Sequence, residues 1–369
     1  MSDLLGGSDP DPYELAWYSC DATTGNVIEE LRSLTPTQAL SRKLGTATTA
    51  SLSMHLGGAP ADWEACTTPG RTLLVAVDVV TDLPIWSGVI LTREGGSDEM
   101  LSLGAITPEA YLDRRYVDDH SLIQQDQANI ITAMMATPLA GGLPFVMDAP
   151  ATGVLMDSYI LATDDRTSLS AMQQVMAMDG GPEWTCDVEW ASAAKTGFIL
   201  PLRVRPKIGL TLSDPEAVFD LPGCIASYRL IESYESGSGA TVVTARGEGE
   251  GASRLTSDSQ IAADLEASGW PRYVYRFTPA SGITDPTELN AHAARALALM
   301  RTGSNVWSVE GVASRSPRLG RDWALGDTVR VAIEESPRHP NGADVVARAW
   351  SWELDADSDR IRPILVEED

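Results

Sequence analysis

Apolar and polar residues alternate with a period of two along many short runs of this chain, and this pattern predicts β-strands. In the N-terminal third, runs typical of strands, some alternating and others apolar almost throughout, are separated by short polar turns. They cover residues 13–20, 46–56, 72–80, 84–93 and 100–106. Short strands at such regular spacing predict a small barrel or sandwich. The run 46–56 is rich in Thr and Ser, which is typical of a strand with one solvated face.

The pattern changes in the second quarter of the chain. Residues 124–136 and 168–178 each place apolar side chains on one face of a predicted helix. Alternation with period two then returns at 184–190 and again at 198–204. These two runs predict a hairpin with one buried face. We therefore expect residues 111–205 to form an α+β domain.

The last part of the chain returns to strand patterns. Residues 225–235 and 240–245 flank the glycine-rich stretch 236–239, and this arrangement predicts a hairpin. A helix ending near residue 302 is predicted to begin at Pro286, because Asp285 is a suitable N-cap residue and proline favours the first helical position. Strand patterns then resume over residues 306–312, 328–334, 345–354 and 361–366.

The predicted order of elements is β, α+β, β, a helical insertion, and β again. This order indicates a mainly β protein with α+β insertions, in which one domain is split by an insertion. A length of 369 residues exceeds what one core usually holds, so we expect two to four domains. The 43% of hydrophobic and 21% of charged residues are typical of globular protein.

The chain carries 52 acidic and 27 basic residues, which gives a net charge of −25 at pH 7. This charge disfavours binding to the outside of a nucleic acid, because phosphate contacts need clustered Lys and Arg. It also disfavours an anionic membrane surface. Two explanations of the acidity stay open. Either it keeps the protein soluble at high concentration, or it forms a surface that DNA passes without sticking.

The sequence predicts neither a membrane anchor nor an export signal. No apolar stretch approaches the roughly 20 residues that span a bilayer, and the N-terminus has neither a basic region nor an apolar core. We therefore expect synthesis in a cytoplasm. Four cysteines are present without any paired spacing, and in a reducing compartment we expect buried free thiols. They are Cys20, Cys66, Cys186 and Cys224.

The histidines lack the spacing of a metal site or a catalytic pair. They are His55, His120, His292 and His339. Neither HExxH nor CxxC occurs. His120 directly follows Asp118 and Asp119, but adjacent residues on a strand point to opposite faces. We therefore expect an exposed polar loop at this position, not an acid–base pair.

Other stretches share only part of a functional motif. Residues 247–251 alternate Gly with Glu, but they lack the Lys-Ser/Thr of a P-loop and their carboxylates would repel phosphate. Residues 355–359 begin like a calcium loop, but Arg360 and Val366 occupy the positions that require Gly and Glu. A hairpin turn is expected there, with a weak cation site as the alternative. We predict no catalytic, cofactor-binding or metal-binding residue, and no enzymatic activity.

Several short blocks of sequence, in the same order along the chain, are similar to those of a known family. These blocks are residues 25–31, 40–45, Trp63 with 69–72, 85–88, 107–115, 126–127, 240–249 and 325–329. Together they resemble the minor tail proteins of long-tailed actinobacterial phages, the group that forms the tail-tip hub. The likeness covers most of the chain.

This resemblance implies two β-barrel domains of the type that builds tail tubes, each augmented by a lateral α+β domain. The first barrel would then span residues 1–110, and the lateral α+β domain residues 111–205. The second barrel would comprise 206–255 and 305–369, interrupted by a helical or α+β insertion at 256–304. Three subunits would form a pseudo-sixfold ring that continues the hexameric tail tube.

The function implied by the resemblance is structural. The protein would form a hub ring in the virion's tail tip, closing or extending the tail tube and lining the DNA channel. Implied partners are two further copies in a homotrimer, the distal tail or tube protein, the tape measure protein and other tip proteins. Assembly would occur in the host cytoplasm. The genome would pass through without sequence-specific binding, and the protein would neither insert into a membrane nor need a cofactor.

Two other functions stay open. The ten tryptophans could stack on sugars in a carbohydrate-binding module at the cell-contacting end of a tail. A tail-associated hydrolase is the weaker alternative, since the catalytic motifs are missing. Most of the tryptophans lie in strand patterns, where burial in the core is the usual outcome. We therefore predict that Trp86, Trp350 and Trp352 are core residues.

Overall fold

The structure is a computed structural model that describes residues 12–178, 180–247, 254–279 and 286–367. The predicted N-terminal arm, the N-cap residue Asp285 and most of the stretch 247–251 lie outside these residues. The chain forms two compact units. The first contains the segments up to Met176, Pro182–Tyr228 and from Ser308 onward, and the second contains Ala177–Gly181 and Arg229–Trp307.

The N-terminal part of the first unit is a curled sheet. Its strands are β1 (Leu15–Asp21), β2 (Val27–Glu30), β3 (Leu34–Pro36), β4 (Leu40–Lys43), β5 (Thr49–His55), β6 (Thr72–Asp78), β7 (Leu83–Glu94) and β8 (Met100–Ile106). All but β4 form one sheet in the order β2-β1-β6-β7-β8-β5-β3, and every pairing is antiparallel. A short helix, α1 (Trp63–Cys66), lies between β5 and β6.

The burial of these strands follows their sequence patterns. β5 alternates between exposed and buried positions, as its Thr- and Ser-rich sequence predicts. β6 is buried at all seven positions, which agrees with its nearly continuous apolar run. Trp86 in β7 is fully buried and contacts Trp17 of β1 edge to face, with the ring centroids 6.0 Å apart. The strand predictions for this part of the chain are confirmed.

An α+β part follows within the same unit. Its elements are β9 (His120–Asp126), α2 (Gln127–Met134), α3 (Ala136–Leu139), β10 (Phe145–Asp148), β11 (Leu155–Ile160), α4 (Ser168–Met176), β12 (Glu183–Cys186), β13 (Glu189–Trp190) and β14 (Phe198–Arg205). β14 pairs in parallel with β10 and antiparallel with β12 and β13. β9 and β11 form a separate two-stranded ribbon. The predicted hairpin of 184–190 with 198–204 is therefore confirmed.

The first predicted helix of this part begins later than expected. Residues 124–126 continue strand β9, and α2 begins at Gln127. Asp126 caps the helix, because its side chain accepts a hydrogen bond from the backbone N–H of Ala128 at 2.9 Å. The capping carboxylate therefore marks a boundary that the apolar periodicity did not reveal. The second predicted helix is found as α4.

A second seven-stranded sheet contains the C-terminal strands. The remaining elements are β15 (Val218–Leu221), β16 (Ile225–Ser233), β17 (Val242–Ala245), β18 (Gln260–Ile261), α5 (Ala263–Ala267), β19 (Val274–Phe277), α6 (Pro286–Met300), β20 (Ser304–Val312), β21 (Thr328–Ile333), β22 (Ala343–Asp355) and β23 (Arg360–Val366). The sheet has the order β15-β21-β22-β23-β20-β16, and β4 also pairs with β22. A strand from the N-terminal region thus completes the C-terminal sheet, with Arg42 opposite Trp352.

The second unit is built on a small sheet in the order β18-β17-β19. Its core contains Val243 of β17 with Leu289, Ala293 and Met300 of α6. These helical residues are spaced by four and seven positions, so they lie on one face of the helix. The predicted insertion 256–304 falls within this unit. Among the described residues, no helix has both the length and the hydropathy to cross a membrane.

The predicted hairpin of 225–235 with 240–245 is wrong. A turn does form at Glu235–Gly239, where the N–H of Gly239 donates to the carbonyl of Glu235 at 3.0 Å. However, β16 joins the C-terminal sheet, whereas β17 pairs with β18 and β19. β17 is buried at all four positions, so it needs strand partners on both edges and a helix on its face. The glycine-rich turn is compatible both with a hairpin and with two strands that join different sheets.

The prediction that Trp350 is a core residue is also wrong. Trp352 is buried, but Trp350 is only half-buried. The register of β22 against β23 shifts between Ala349 and Ser351, which places a β-bulge at Trp350. A bulge inserts one extra residue and interrupts the alternation of faces. Trp350 therefore leaves the core face and lies near the guanidinium of Arg348, 5.8 Å from its ring centroid.

These two environments predict different effects of tryptophan removal. Trp86→Ala should lower the free energy of unfolding by about 3–5 kcal/mol, because it leaves a cavity in a closed core. Trp350→Ala is the matched control and should cause a clearly smaller loss, since its ring already contacts solvent. Urea unfolding of both variants measures the difference. Equal losses would mean that the bulge does not expose Trp350.

Candidate functional site

The histidines do not assemble a catalytic centre. His55 and Glu99 are both exposed, with 3.2 Å between Nε2 and Oε2. His120 lies in strand β9 and is half-buried, so the expected exposed loop at this position is wrong. Its Nε2 lies 2.9 Å from the Ser158 hydroxyl. His339 shares a hydrogen bond of 2.7 Å with the Tyr228 hydroxyl, and His292 lies in α6.

The neighbouring carboxylate of Asp119 has another partner. Asp119 accepts a hydrogen bond from the backbone N–H of Ala162 at 2.6 Å. Burial lowers the pKa of His120 below its usual value, so its neutral form is favoured at neutral pH. Side-chain contact with Ser158 across the β9–β11 ribbon accounts for its position. The contacts of His120 therefore indicate a structural role for this residue.

The acidic loop at residues 355–359 forms the turn between β22 and β23. Asp355 accepts hydrogen bonds from the N–H and hydroxyl of Ser358, at 3.0 and 2.8 Å. Asp359 accepts from the N–H and hydroxyl of Ser314, both at 2.7 Å. These carboxylates stabilise the backbone of the turns. The expected hairpin turn at residues 355–359 is therefore confirmed. Over the described ranges, no group of three or more His, Cys, Asp or Glu side chains is arranged to hold a metal ion.

The four cysteines are free and buried, as predicted. Burial raises the pKa of the Cys20 thiol to about 12 and that of the Cys224 thiol to about 11. A thiol of this kind is protonated at neutral pH and is a poor nucleophile. These residues are therefore small core side chains.

The strongest chemical feature of the first unit is a set of three buried arginines, Arg42, Arg318 and Arg348. We call them the arginine junctions, because each joins segments that are distant in sequence. A buried guanidinium is costly unless carboxylates and carbonyls satisfy it. Each junction is therefore described by the partners that its arginine collects.

The Arg318 junction ties the C-terminal loop to strand β6. Arg318 donates two hydrogen bonds to Asp78, at 2.7 and 2.6 Å, and both side chains are almost fully buried. Burial alone would raise the pKa of Asp78, but the hydrogen bonds from Arg318 and Thr81 hold it below its usual value. The guanidinium also lies 4.2 Å from the ring centroid of Tyr13. This paired geometry fixes both the position and the orientation of the loop.

The Arg42 junction joins β4 to the α+β part. Arg42 donates to Asp187 at 2.8 Å, to the hydroxyl of Thr185 at 2.9 Å, and to the carbonyl of Cys186. Arg203 of β14 also donates to Asp187. Burial would raise the pKa of Asp187, but the charges of Arg42 and Arg203 lower it. Two arginines thus share one carboxylate inside the protein.

Glu109 lies beside this junction and is less well satisfied. Its side chain is buried, and its Oε1 lies 3.6 Å from the Arg42 guanidinium. In the described part of the chain, its Oε2 has no hydrogen-bond partner. Burial raises the pKa of Glu109, and the charge of Arg42 offsets this only in part. Glu109 is therefore the carboxylate of this cluster that is most easily protonated.

The Arg348 junction joins the C-terminal sheet to β12. Arg348 donates to Glu183 at 2.7 Å and to the carbonyls of Gly326 and Ile208, at 2.8 and 2.6 Å. Glu183 in turn accepts from the backbone N–H of Ile208 at 2.8 Å. The segment between β14 and β15 is thus held against both sheets. Every donor and acceptor in this group contributes to one closed network.

A recess of about 230 Å³ opens where these parts of the first unit meet. Its charged lining is Arg42, Asp187, Glu189 and Arg203, and Trp352 contributes an apolar wall. The charges lining the recess are already paired with one another. The recess is therefore a packing gap between parts of the first unit. Its charged groups are not arranged to bind a substrate.

Comparison with known proteins supports the fold. No family model matches the chain, and no curated protein matches its sequence. The tail protein from Neisseria meningitidis superposes with a TM-score of 0.59 at 14% identity, covering 96% of this chain and 97% of that chain. The 43 kDa tail protein of prophage MuSo2 from Shewanella oneidensis gives 0.60 at 11% identity, covering 96% and 98%. This chain has the fold of phage tail proteins.

The predicted fold class, mainly β with α+β insertions, is therefore confirmed. A chain in the PdpA–VgrG complex from Francisella also superposes, with a TM-score of 0.53 at 7% identity. That match covers 96% of this chain but only 52% of the other. Tail proteins therefore match in overall length as well as in fold.

The arginine junctions were not predicted from sequence. Each pairs residues that are far apart in the chain, and the Asp78–Arg318 bond spans 240 positions. The available signal was that Arg348 interrupts the predicted strand run 345–354. An arginine at a core-facing strand position predicts a buried ion pair, although it does not reveal the partner.

Breaking a junction should destabilise the protein strongly. Asp78→Asn leaves the buried Arg318 charge uncompensated and should lower the free energy of unfolding by about 3–5 kcal/mol. The control is Asp344→Asn, which removes the carboxylate of the exposed Arg330–Asp344 pair and should cause no measurable change. Urea unfolding at pH 7 compares the two variants. A small loss for Asp78→Asn would mean that the junction contributes little.

The position of Glu109 predicts a pH dependence. Because folding raises its pKa, the stability linked to this residue is present below its unfolded pKa, about 4.5, and is lost as pH rises through the folded value. Glu109→Gln removes this loss. The melting temperature of the variant relative to the natural protein should therefore rise between pH 4.5 and 8. The exposed Glu64→Gln is the control, and a pH-independent difference for Glu109→Gln would contradict the prediction.

Proposed function

We propose that this protein is a structural subunit of a phage tail that forms a hub ring at the tail tip, closing or extending the tail tube. The observation that carries the proposal is the match of nearly the whole chain to tail proteins, which leaves 4% of this chain and 2–3% of the other proteins uncovered. A role that depends on shape requires a rigid scaffold. The arginine junctions, with each guanidinium paired inside the core, supply such rigidity to the first unit.

The two large sheets of the chain support the proposal of a threefold ring. Each sheet has seven strands, and both are mainly antiparallel. If each sheet supplies one tube-like barrel, three chains present six comparable modules to a sixfold tube. The proposed domains are 1–110, 111–205, 206–255 with 305–369, and the insertion 256–304. This arrangement makes the homotrimer the simplest assembly.

The β9–β11 ribbon supports an assembled state. Ile123, Leu155 and Tyr159 are 58–68% exposed, and neighbouring apolar side chains on one exposed ribbon are typical of an interaction surface. Partners proposed for the protein are two further copies, the distal tail or tube protein, the tape measure protein and other tip proteins. The structural neighbours from tails favour partners of this type.

The acidity of the chain fits a channel through which the genome passes. A negatively charged wall repels the DNA backbone and acts within a screening length of about 8 Å at physiological salt. The proposal therefore places excess Asp and Glu on the inner wall, in a virion component assembled in the host cytoplasm. It needs no enzymatic activity, cofactor, sequence-specific nucleic-acid contact or membrane insertion.

Symmetry-resolved electron microscopy of the assembled particle tests the proposal. We expect three copies of the chain in a single ring at the tail tip, with the two sheets in alternating positions around the channel. Six copies, or copies along the whole tube, would overturn the hub assignment. Absence of the chain from purified particles would overturn the structural role itself.

A further inference from the structure

The second unit exposes two aromatic rings close together. Trp270 is 40% exposed and Tyr273 is 47% exposed, although large aromatic side chains are usually mostly buried. Between them lies Tyr234, whose ring centroid is 5.0 Å from that of Trp270 and 5.2 Å from that of Tyr273. We call these three rings the aromatic platform. Exposed apolar surface of this kind is typical of a binding site.

Contacts with other residues of the second unit fix the rings of the aromatic platform. The hydroxyl of Tyr234 donates to the carbonyl of Arg301 at 3.3 Å. Gly239 lies so close to the Tyr234 ring that a Cβ atom there would be 2.4 Å from it. The N–H of Tyr273 donates to the hydroxyl of Thr241 at 2.8 Å. A ring fixed before binding loses little conformational entropy when a ligand stacks on it.

Planar polar groups lie next to the exposed rings in sequence. Arg272, between the two exposed rings in sequence, donates from Nε and Nη2 to both carboxylate oxygens of Glu266, at 2.7 and 2.9 Å. The Arg272 side chain is 58% exposed, so its remaining donors face solvent. Arg301 pairs with Asp264 in the same unit. These pairs provide donors and acceptors without a large net charge.

We propose that the aromatic platform and the Arg272–Glu266 pair bind a neutral saccharide. A pyranose ring has a face of C–H groups that stacks on an aromatic ring, and its neighbouring hydroxyls both donate and accept hydrogen bonds. The guanidinium of Arg272 can donate to such a hydroxyl pair, and the carboxylate of Glu266 can accept from it. The inference goes beyond the structural role and does not depend on it.

Other ligand classes fit less well. The net charge of −25 disfavours nucleic acids and anionic glycans. A proline-rich peptide can dock on aromatic side chains, but proline has no N–H to donate. Such a peptide would leave the acceptors Glu266 and Asp264 with little to bind. A neutral saccharide uses both the rings and the carboxylates.

Affinity electrophoresis of the full chain tests the proposal. The gels contain a neutral glucan, mannan or galactan, with polygalacturonate as the anionic comparison. We expect at least one neutral polysaccharide to retard the protein and polygalacturonate not to. Trp270→Ala and Tyr273→Ala should each weaken the binding about tenfold or more, and Trp270→Phe should restore part of it. Glu266→Gln should weaken binding while the rings stay in place.

The control variant is Trp63→Ala, which removes a half-buried tryptophan from the first unit. It should be retarded like the natural protein, and circular dichroism should show that all variants are folded. Two results would overturn the proposal: no retardation by any of the three neutral polysaccharides, or unchanged retardation of the Trp270→Ala/Tyr273→Ala double variant. Binding of a Pro-x-x-Pro peptide in place of the polysaccharides would identify a protein ligand instead.

Discussion

The pairing of buried arginines with carboxylates is the constraint on which the first unit depends. Hydrophobic burial is non-directional, and two β-sheets can slide or rotate against an apolar core at modest loss. A buried guanidinium cannot, because each N–H needs an acceptor in a defined direction. Arg42, Arg318 and Arg348 therefore select one arrangement of the sheets. The apolar core contributes most of the stability, and the arginines fix how the sheets are placed against each other.

In this division of roles the three buried arginines of the first unit are paired with carboxylates inside the protein. Exposed apolar side chains occur on the β9–β11 ribbon of the first unit and, in the second unit, on the aromatic platform, among other places.

Much of the fold follows from local patterns, and the failures have a common cause. β5 and β6 were predictable because alternation and continuous apolar runs directly reflect one or two buried faces. α6 was predictable from its apolar face and from Pro286 at its first position. The partner of β17, the pairing of β4 with β22 and the bulge at Trp350 depend on residues far away in sequence. Local patterns define an element, whereas its neighbours decide which edge and face it uses.

The same limit applies to the functional surfaces. Short catalytic motifs could be searched for in the sequence, since each of them is contained in one stretch of the chain. The arginine junctions could not be derived, because Asp78 and Arg318 come together only in the completed fold. Trp270 was overlooked because it lies in a loop between α5 and β19, outside any alternating run. A large aromatic residue outside a predicted element is therefore a useful indication of an exposed site.

The pairing of β4 with β22 has a consequence for synthesis on the ribosome. Leu40 lies opposite Leu354, so the two strands can meet only after residue 354 has been translated. Until then β4 has no strand β22 to pair with, and the carboxylate of Asp78 must first await synthesis of Arg318. Long-range closure of this kind is slow to form. A prematurely terminated chain would lack β22 and Arg318. Its N-terminal part could then not complete the native fold. If the proposed ring forms from such subunits, truncated copies would be excluded from it.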